Sequence, residues 1–213
     1  MIIGLPQPVI RTERLELFIP SRKDAARMCR YVVENREHLK GWEPERPARY
    51  FTEAYWKEEL ATATKEFRAG QSLRLAFVEK ESASGHIAGT SNFRSFAWGA
   101  FRACHLGYSL DHRLQGQGLM REALKAALDY VLGDLGLHRV MAAYMPHNER
   151  SARLLKSLGF VTEGFAKDYL LLDGAWRDHV LTSRINPAGG REHLEGAPLC
   201  APPFRLGIPS RGK

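Results

Sequence analysis

Apolar and polar residues alternate from Arg14 to Ile19, putting Leu15, Leu17 and Ile19 on one face of a strand. Pro20-Ser21 then offers an N-cap, and the following pattern predicts a helix running to about Glu34. Gly41-Trp42-Glu43-Pro44 and Pro47 break it, and Thr52 reopens a helix through about Ala69, closed by Gly70. Three strand-like runs follow, Leu73 to Glu79, His86 to Phe96 and Ala103 to Leu110, the first two separated by a Ser82-Ala83-Ser84-Gly85 turn. Together they predict an antiparallel meander. Past it, Met120, Leu124, Ala127, Leu128 and Val131 form an apolar stripe, with Arg121, Glu122, Lys125 and Asp129 on the opposite face of an amphipathic helix. Arg139 to Tyr144 reads as a strand, Asn148 caps a short helix ending at Gly159, and two last strands flank Asp173-Gly174. The chain shows no internal repeat.

These elements give an α/β domain over residues 1–186. From Pro187 to Lys213 the character changes, with five prolines and five glycines in 27 residues and no periodicity, so this stretch reads as an extended tail. A composition of 44% apolar and 26% charged residues is ordinary for a soluble globular protein. Thirty-one Lys and Arg against twenty-four Asp and Glu give a net charge of +7, which suits an anionic cofactor or work near nucleic acid and equally suits a plain basic surface. Cys29, Cys104 and Cys200 are widely spaced and lack paired histidines, so neither a disulfide framework nor a metal site is indicated, and a reducing cytoplasm fits. No basic residue precedes the apolar positions of Met1 to Ile10, and nowhere do 18 apolar residues run together, so neither an export signal nor a membrane span is expected.

Candidate chemistry centres on Gln115-Gly116-Gln117-Gly118-Leu119-Met120, between a strand and a helix. Glycines at a helix start let phosphate oxygens approach successive N–H groups at the positive end of the helix dipole. They also serve plain turns. The loop lacks the Gly-Lys-Ser/Thr of a nucleoside-triphosphate loop, and Arg121 stands where a dinucleotide fold would want a third glycine. About thirty residues on, Asn148-Glu149-Arg150-Ser151 opens a helix carrying Leu154, Leu155 and Leu158, followed by Gly159-Phe160. Taken alone, Asn148 is an ordinary cap.

In that order the two motifs resemble the Gcn5-related N-acetyltransferases, over about residues 10–186. Gly41-Trp42-Glu43-Pro44, Leu106-Gly107-Tyr108-Ser109, Tyr144-Met145-Pro146-His147-Asn148, Lys167-Asp168-Tyr169-Leu170-Leu171 and Trp176-Arg177-Asp178-His179-Val180 extend the resemblance to the RimJ-type protein N-terminal alanine acetyltransferases. The resemblance implies a mixed, mostly antiparallel central sheet of about seven strands flanked by helices, and acetyl-CoA as cosubstrate. It implies that the backbone of Tyr108, Ser109 and Leu110 lines the pantetheine arm, that Gln115 to Arg121 cradle the pyrophosphate, and that Asn148 hydrogen-bonds the arm. Arg150, Arg153 and Lys156 would then turn a basic face to the cofactor phosphates.

The reaction implied is direct attack of an uncharged amine on the thioester, with the oxyanion held by N–H groups around Leu106 to Tyr108. The chain departs from the family in three places: Leu155 stands where many members carry a tyrosine acid, Ala143 where some carry a glutamate base, and His105 where relatives carry another glutamate. His105 is therefore the candidate to take the amine proton, directly or through water, and Ser151 to hydrogen-bond the departing sulfur; a packed strand histidine and a helix-capping serine are the plainer readings. Trp42 and Glu43 fall in the segment that shapes the acceptor cleft in relatives. The acceptor implied is an alanine-starting small-subunit ribosomal protein. A small amine such as an antibiotic or polyamine, or a ribosome-assembly role with acetylation secondary, remain the alternatives.

Overall fold

A computed structural model describes residues 7–82 and 85–188 of the chain, so the tail expected beyond Pro187 lies, but for its first two residues, outside the described residues. Eight strands form one sheet: β1 Val9–Arg11, β2 Leu15–Phe18, β3 Leu73–Glu79, β4 Gly89–Ala97, β5 Ala103–Leu110, β6 Arg139–Tyr144, β7 Val161–Leu172 and β8 Ala175–Ile185. They lie in the order β1-β2-β3-β4-β5-β6-β8-β7, antiparallel everywhere except between β5 and β6. The strand beyond the seven expected is β1. Its three residues are too few to show a period, and two of them are exposed on the sheet edge.

Alternation on β3 sorts the two layers. Leu73, Leu75 and Phe77 turn toward the larger core, beside α4 (Leu119–Asp129) and α5 (Glu149–Ser157). Ala76 and Val78 turn toward α1 (Ala25–Glu34) and α3 (Glu53–Arg68), where Met28, Tyr31, Trp56 and Leu60 are buried. Burying side chains of this size stabilises by about 1.5–3 kcal/mol each, which fixes which face of every strand meets which helices.

Local signals set the helix ends. Ser21 and Asp24 form a reciprocal capping box around a short 3-10 turn, and α1 follows it directly. Between α1 and the Gly41 break a further single turn, α2 (Arg36–Leu39), continues the chain. The Thr52 hydroxyl accepts from the Tyr55 N–H at 3.3 Å to start α3. At the end of α5, Gly159 takes φ +81°, and the Phe160 and Gly159 N–H groups donate to Leu155 and Lys156 carbonyls, closing the last turn. Helix α4 runs on through a π turn over Tyr130–Asp134. The β7–β8 hairpin turns on Asp173 and Gly174, both at positive φ, as a two-residue Asp-Gly turn requires.

Candidate functional site

The parallel contact between β5 and β6 is short. Ala103, Cys104 and His105 face Arg139, Val140 and Met141, and beyond that point the strands part. From Leu106 to Leu110, β5 stays paired with β4 on one side and, among the described residues, has no strand on the other. A cavity of about 580 Å³ opens along this free edge, within the size range of small-molecule sites. Its wall takes Tyr108, Ser109 and Leu110 from β5, Gln115 and Gly116 from the glycine loop, Met120 from α4, and Asn148 and Ser151 from α5. Trp42 closes it from the loop after α2, its ring 5.5 Å from that of His147. Arg150 and Arg153 also line it; His38, Leu39 and Leu154 are lining residues that sequence reasoning missed.

The glycine loop is shaped as a phosphate cradle needs. Gly116 and Gly118 sit at φ +78° and +76°, and Gly118 opens α4 with no side chain capping the first turn. Leu119 is buried in the core, so it can offer a ligand only its N–H, while Arg121 is exposed. The Gln117 carbonyl accepts from Arg14 Nη1 at 3.0 Å. Arg14 also pairs with Glu122 at 2.7 Å, and the Thr12 hydroxyl donates to the same carboxylate at 2.6 Å. Burial pushes the Glu122 carboxyl up, but hydrogen bonds from Thr12 and Arg14 outweigh it and leave its pKa lowered. The turn between β1 and β2 thus anchors the loop and neutralises the one carboxylate in the first turn of α4.

Hydrogen-bond direction fixes the far wall. A guanidinium only donates, so Arg150 makes Gln115 Oε1 the acceptor; Gln115 Nε2 then donates to His38 Nε2 at 2.7 Å. His38 is held with its proton on Nδ1, and burial, then His112 and Arg150, lower its pKa.

On the α5 side, the Asn148 side-chain oxygen accepts from the Ser151 N–H at 3.0 Å, so Asn148 caps the helix while also facing the cavity. Burial pushes the Tyr108 phenol up to about 12, with the neighbouring Ser151 side chain acting in the opposite direction. Both residues line the cavity wall.

The opposite side of β5 opens on a second space. A polar cleft of about 160 Å³ runs beneath α1 and α3, with Tyr31, Glu43, Tyr50, Asn92 and Arg94 among its walls. Ser109 lines both spaces, its hydroxyl 2.8 Å from that of Tyr31 and 3.0 Å from that of Thr90. Glu43 lines the cleft rather than the cavity, paired with Arg46 at 3.2 Å, and its carbonyl accepts from the Asp173 N–H of the β7–β8 turn. His105 is the last residue of β5 paired with β6, exposed at the apex of the fork and opposite Arg94 on β4. Burial lowers its pKa from the ordinary 6.5. The structure thus gathers Trp42, Tyr108, Ser109, Leu110, Gln115, Gly116, Met120, Asn148 and Ser151 on one wall, and places Glu43 across the strand and His105 at its split end.

A parallel pair that splits, a strand edge left free along a cavity and an uncapped helix behind paired glycines together form a pocket rich in free backbone donors. Sequence comparison supplies the class: the Acetyltransferase (GNAT) domain family matches residues 14–161, and the chain belongs to this family of N-acetyltransferases. The chain is 42% identical over 184 residues to the [Ribosomal protein uS5]-alanine N-acetyltransferase of Escherichia coli, covering 86% of this chain and 94% of that protein. Among solved structures it is similar to the ribosomal-protein-S5-alanine acetyltransferase of Vibrio fischeri, with 38% identity, a TM-score of 0.82, and 86% and 99% of the two chains covered. It is also similar to Mycobacterium smegmatis RimJ in complex with CoA-disulfide, with 29% identity, a TM-score of 0.74, and 84% and 83% covered.

Proposed function

We propose that the protein transfers acetyl from acetyl-CoA to the N-terminal α-amine of an alanine-starting small-subunit ribosomal protein, working in the cytoplasm. The observation that carries this reading is the 42% identity, over nearly the whole length of both chains, to an enzyme that acts on alanine of ribosomal protein uS5. The residues around the fork fit acetyl-CoA: a free strand edge for an amide-bearing arm, and first-turn N–H groups of α4 for a pyrophosphate. The thioester supplies the activated acetyl group, and the chain's own residues do the rest.

Gln115 to Arg121 fix the anionic end through backbone donors, with Arg14 keeping Glu122 from repelling it. Asn148 orients the arm. N–H groups of Leu106 to Tyr108 face the oxygen that gains charge as the amine attacks. An α-amine titrates near 7.7–8.0 and arrives mostly protonated, so its proton must leave before attack. His105, kept neutral at pH 7 by its lowered pKa, accepts that proton through solvent at the apex of the fork. Ser151 hydrogen-bonds the departing sulfur, and the neighbouring Tyr108 phenol, protonated at neutral pH, is the proton source. Trp42 and Glu43 form the entrance for the acceptor N-terminus.

Thiol release from acetyl-CoA, measured with short peptides differing only in residue one and with free polyamines and aminoglycosides, tests the assignment. Turnover confined to peptides starting with Ala or Ser is the expected result. Turnover with small amines alone contradicts it, and no turnover with any acceptor, alongside ribosome binding that falls with salt, supports an assembly role instead.

A further inference from the structure

The cleft beneath α1 and α3 leaves one of its guanidinium groups without a direct partner. Three cations, Arg46, Arg74 and Arg94, and two carboxylates, Glu43 and Glu59, line it. Arg46 is paired with Glu43 at 3.2 Å; Arg74 is held by Glu59 at 2.5 Å and by Glu66, outside the lining, at 2.7 Å. Arg94 has no hydrogen bond or ion pair among the described residues. It is exposed at the cleft, where partial desolvation and the neighbouring Arg74 and Arg46 cations lower its pKa and the Glu59 and Glu66 carboxylates, held by Arg74, oppose them from a distance. A guanidinium in that setting is satisfied best by a carboxylate, whose two oxygens match its fork.

The position of Arg94 says where such a carboxylate must come from. Asn92, on the same face of β4 and also lining the cleft, pairs with Gly107, where the β5 edge is free; Arg94 lies two residues further along, opposite His105. At about 3.3 Å per strand residue, Arg94 stands roughly 7 Å from that point, the reach of two to three residues of an extended peptide. A carboxylate arriving on the acceptor peptide would give Arg94 the direct partner it lacks, since Glu59 and Glu66 are already engaged by Arg74.

We infer that Arg94 is a specificity residue that binds an acidic side chain at the second, third or fourth position of the acceptor peptide. This rests on the reading above that the acceptor is a protein N-terminus. The enzyme therefore selects for an acidic residue just behind the acetylated one, in addition to the first residue itself.

The test uses alanine-starting peptides carrying Glu, Gln or Lys singly at positions two, three and four, with acetyl-CoA saturating. The wild-type enzyme prefers Glu over Gln at one of these positions by about tenfold in kcat/KM, the scale of one charge-assisted hydrogen bond. Arg94→Gln collapses that ratio toward one, and Arg94→Glu turns the preference toward Lys at the same position. Unchanged thermal melting shows that each variant is folded. Equal use of Glu and Gln peptides by the wild type at all three positions, or a Glu preference that survives Arg94→Gln, overturns the inference while leaving N-terminal acetylation standing. Turnover of polyamines without any peptide overturns both.

Discussion

The cavity along the free edge of β5 and the cleft beneath α1 and α3 meet at Ser109, yet different kinds of group build them. The cavity's binding groups are largely backbone: a strand edge, two left-handed glycines and a helix start. Its requirements fall on contiguous residues, because backbone donors must be consecutive to face one pyrophosphate. The cleft is made of side chains from α1, α3, β3 and β4 and from the loop holding Glu43 and Arg46, with Arg46 paired to Glu43 within that loop and Arg74 on β3 paired to Glu59 on α3. On the proposed reading, recognition of an invariant cosubstrate is written largely in the backbone, and recognition of a variable acceptor in exchangeable side chains.

The largest effect is expected where both spaces share a foundation. Asp111 directly follows β5, is 3% exposed in its side chain, and accepts from Asn35 and from Arg113. Asp111→Ala removes several hydrogen bonds at once, leaving Arg113 with Glu34 alone and Asn35 with Tyr31 and His112, and should cost about 3 kcal/mol, read as a lower urea midpoint with both substrates' KM raised. Burial raises the Asp111 carboxyl, but hydrogen bonds from Arg113 and Asn35 prevail and hold it at about 2, against an ordinary 3.8. Its stabilising contribution is complete above the ordinary value and is lost as the pH falls toward about 2, so the acid dependence of unfolding is shallower in Asp111→Asn.

A sharper separation comes from His105→Ala, expected to lower kcat/KM for peptide about 100-fold while leaving acetyl-CoA affinity intact. Protonation inactivates a base. Because the His105 pKa lies below 6.5, the acid limb of the wild-type pH–rate profile falls below that pH and disappears in the variant.

Much of the cavity was legible in the sequence, and much of the cleft was not. Gly116, Gly118, Asn148 and the Asp173-Gly174 turn are local rules with local geometry, and each stands where its residue type predicts. Arg14 was read only as the start of a strand, although it anchors the glycine loop from 103 residues away. His38, Tyr31 and Arg94 carry no spacing signal, since their meeting depends on α1, α2 and β4 packing around β5. The strand expected from His86 begins at Gly89, where a Cβ would fall 2.4 Å from the Phe77 ring and 2.5 Å from the Ser109 carbonyl. That close approach presses β4 against the Leu110 end of β5, and no periodicity announces it.

Smaller effects sharpen the contrast from each side. Gly118→Val forces a β-branched residue into left-handed backbone, and Arg14→Ala frees the Glu122 charge; each should raise KM for acetyl-CoA about tenfold with peptide KM unchanged. Glu43→Gln loosens an ion pair at the acceptor entrance and should raise KM for peptide roughly two- to threefold, more than for acetyl-CoA; equal changes on both would refute the acceptor role.

The most direct test incubates the purified enzyme and acetyl-CoA with unacetylated small-subunit ribosomal proteins and locates the added acetyl groups by intact-mass and fragment mass spectrometry. The account predicts one modified protein, carrying a single acetyl on the α-amine of an N-terminal alanine. Acetyl groups on lysine side chains, or none on any of these proteins while polyamines are acetylated in the same mixture, would contradict it.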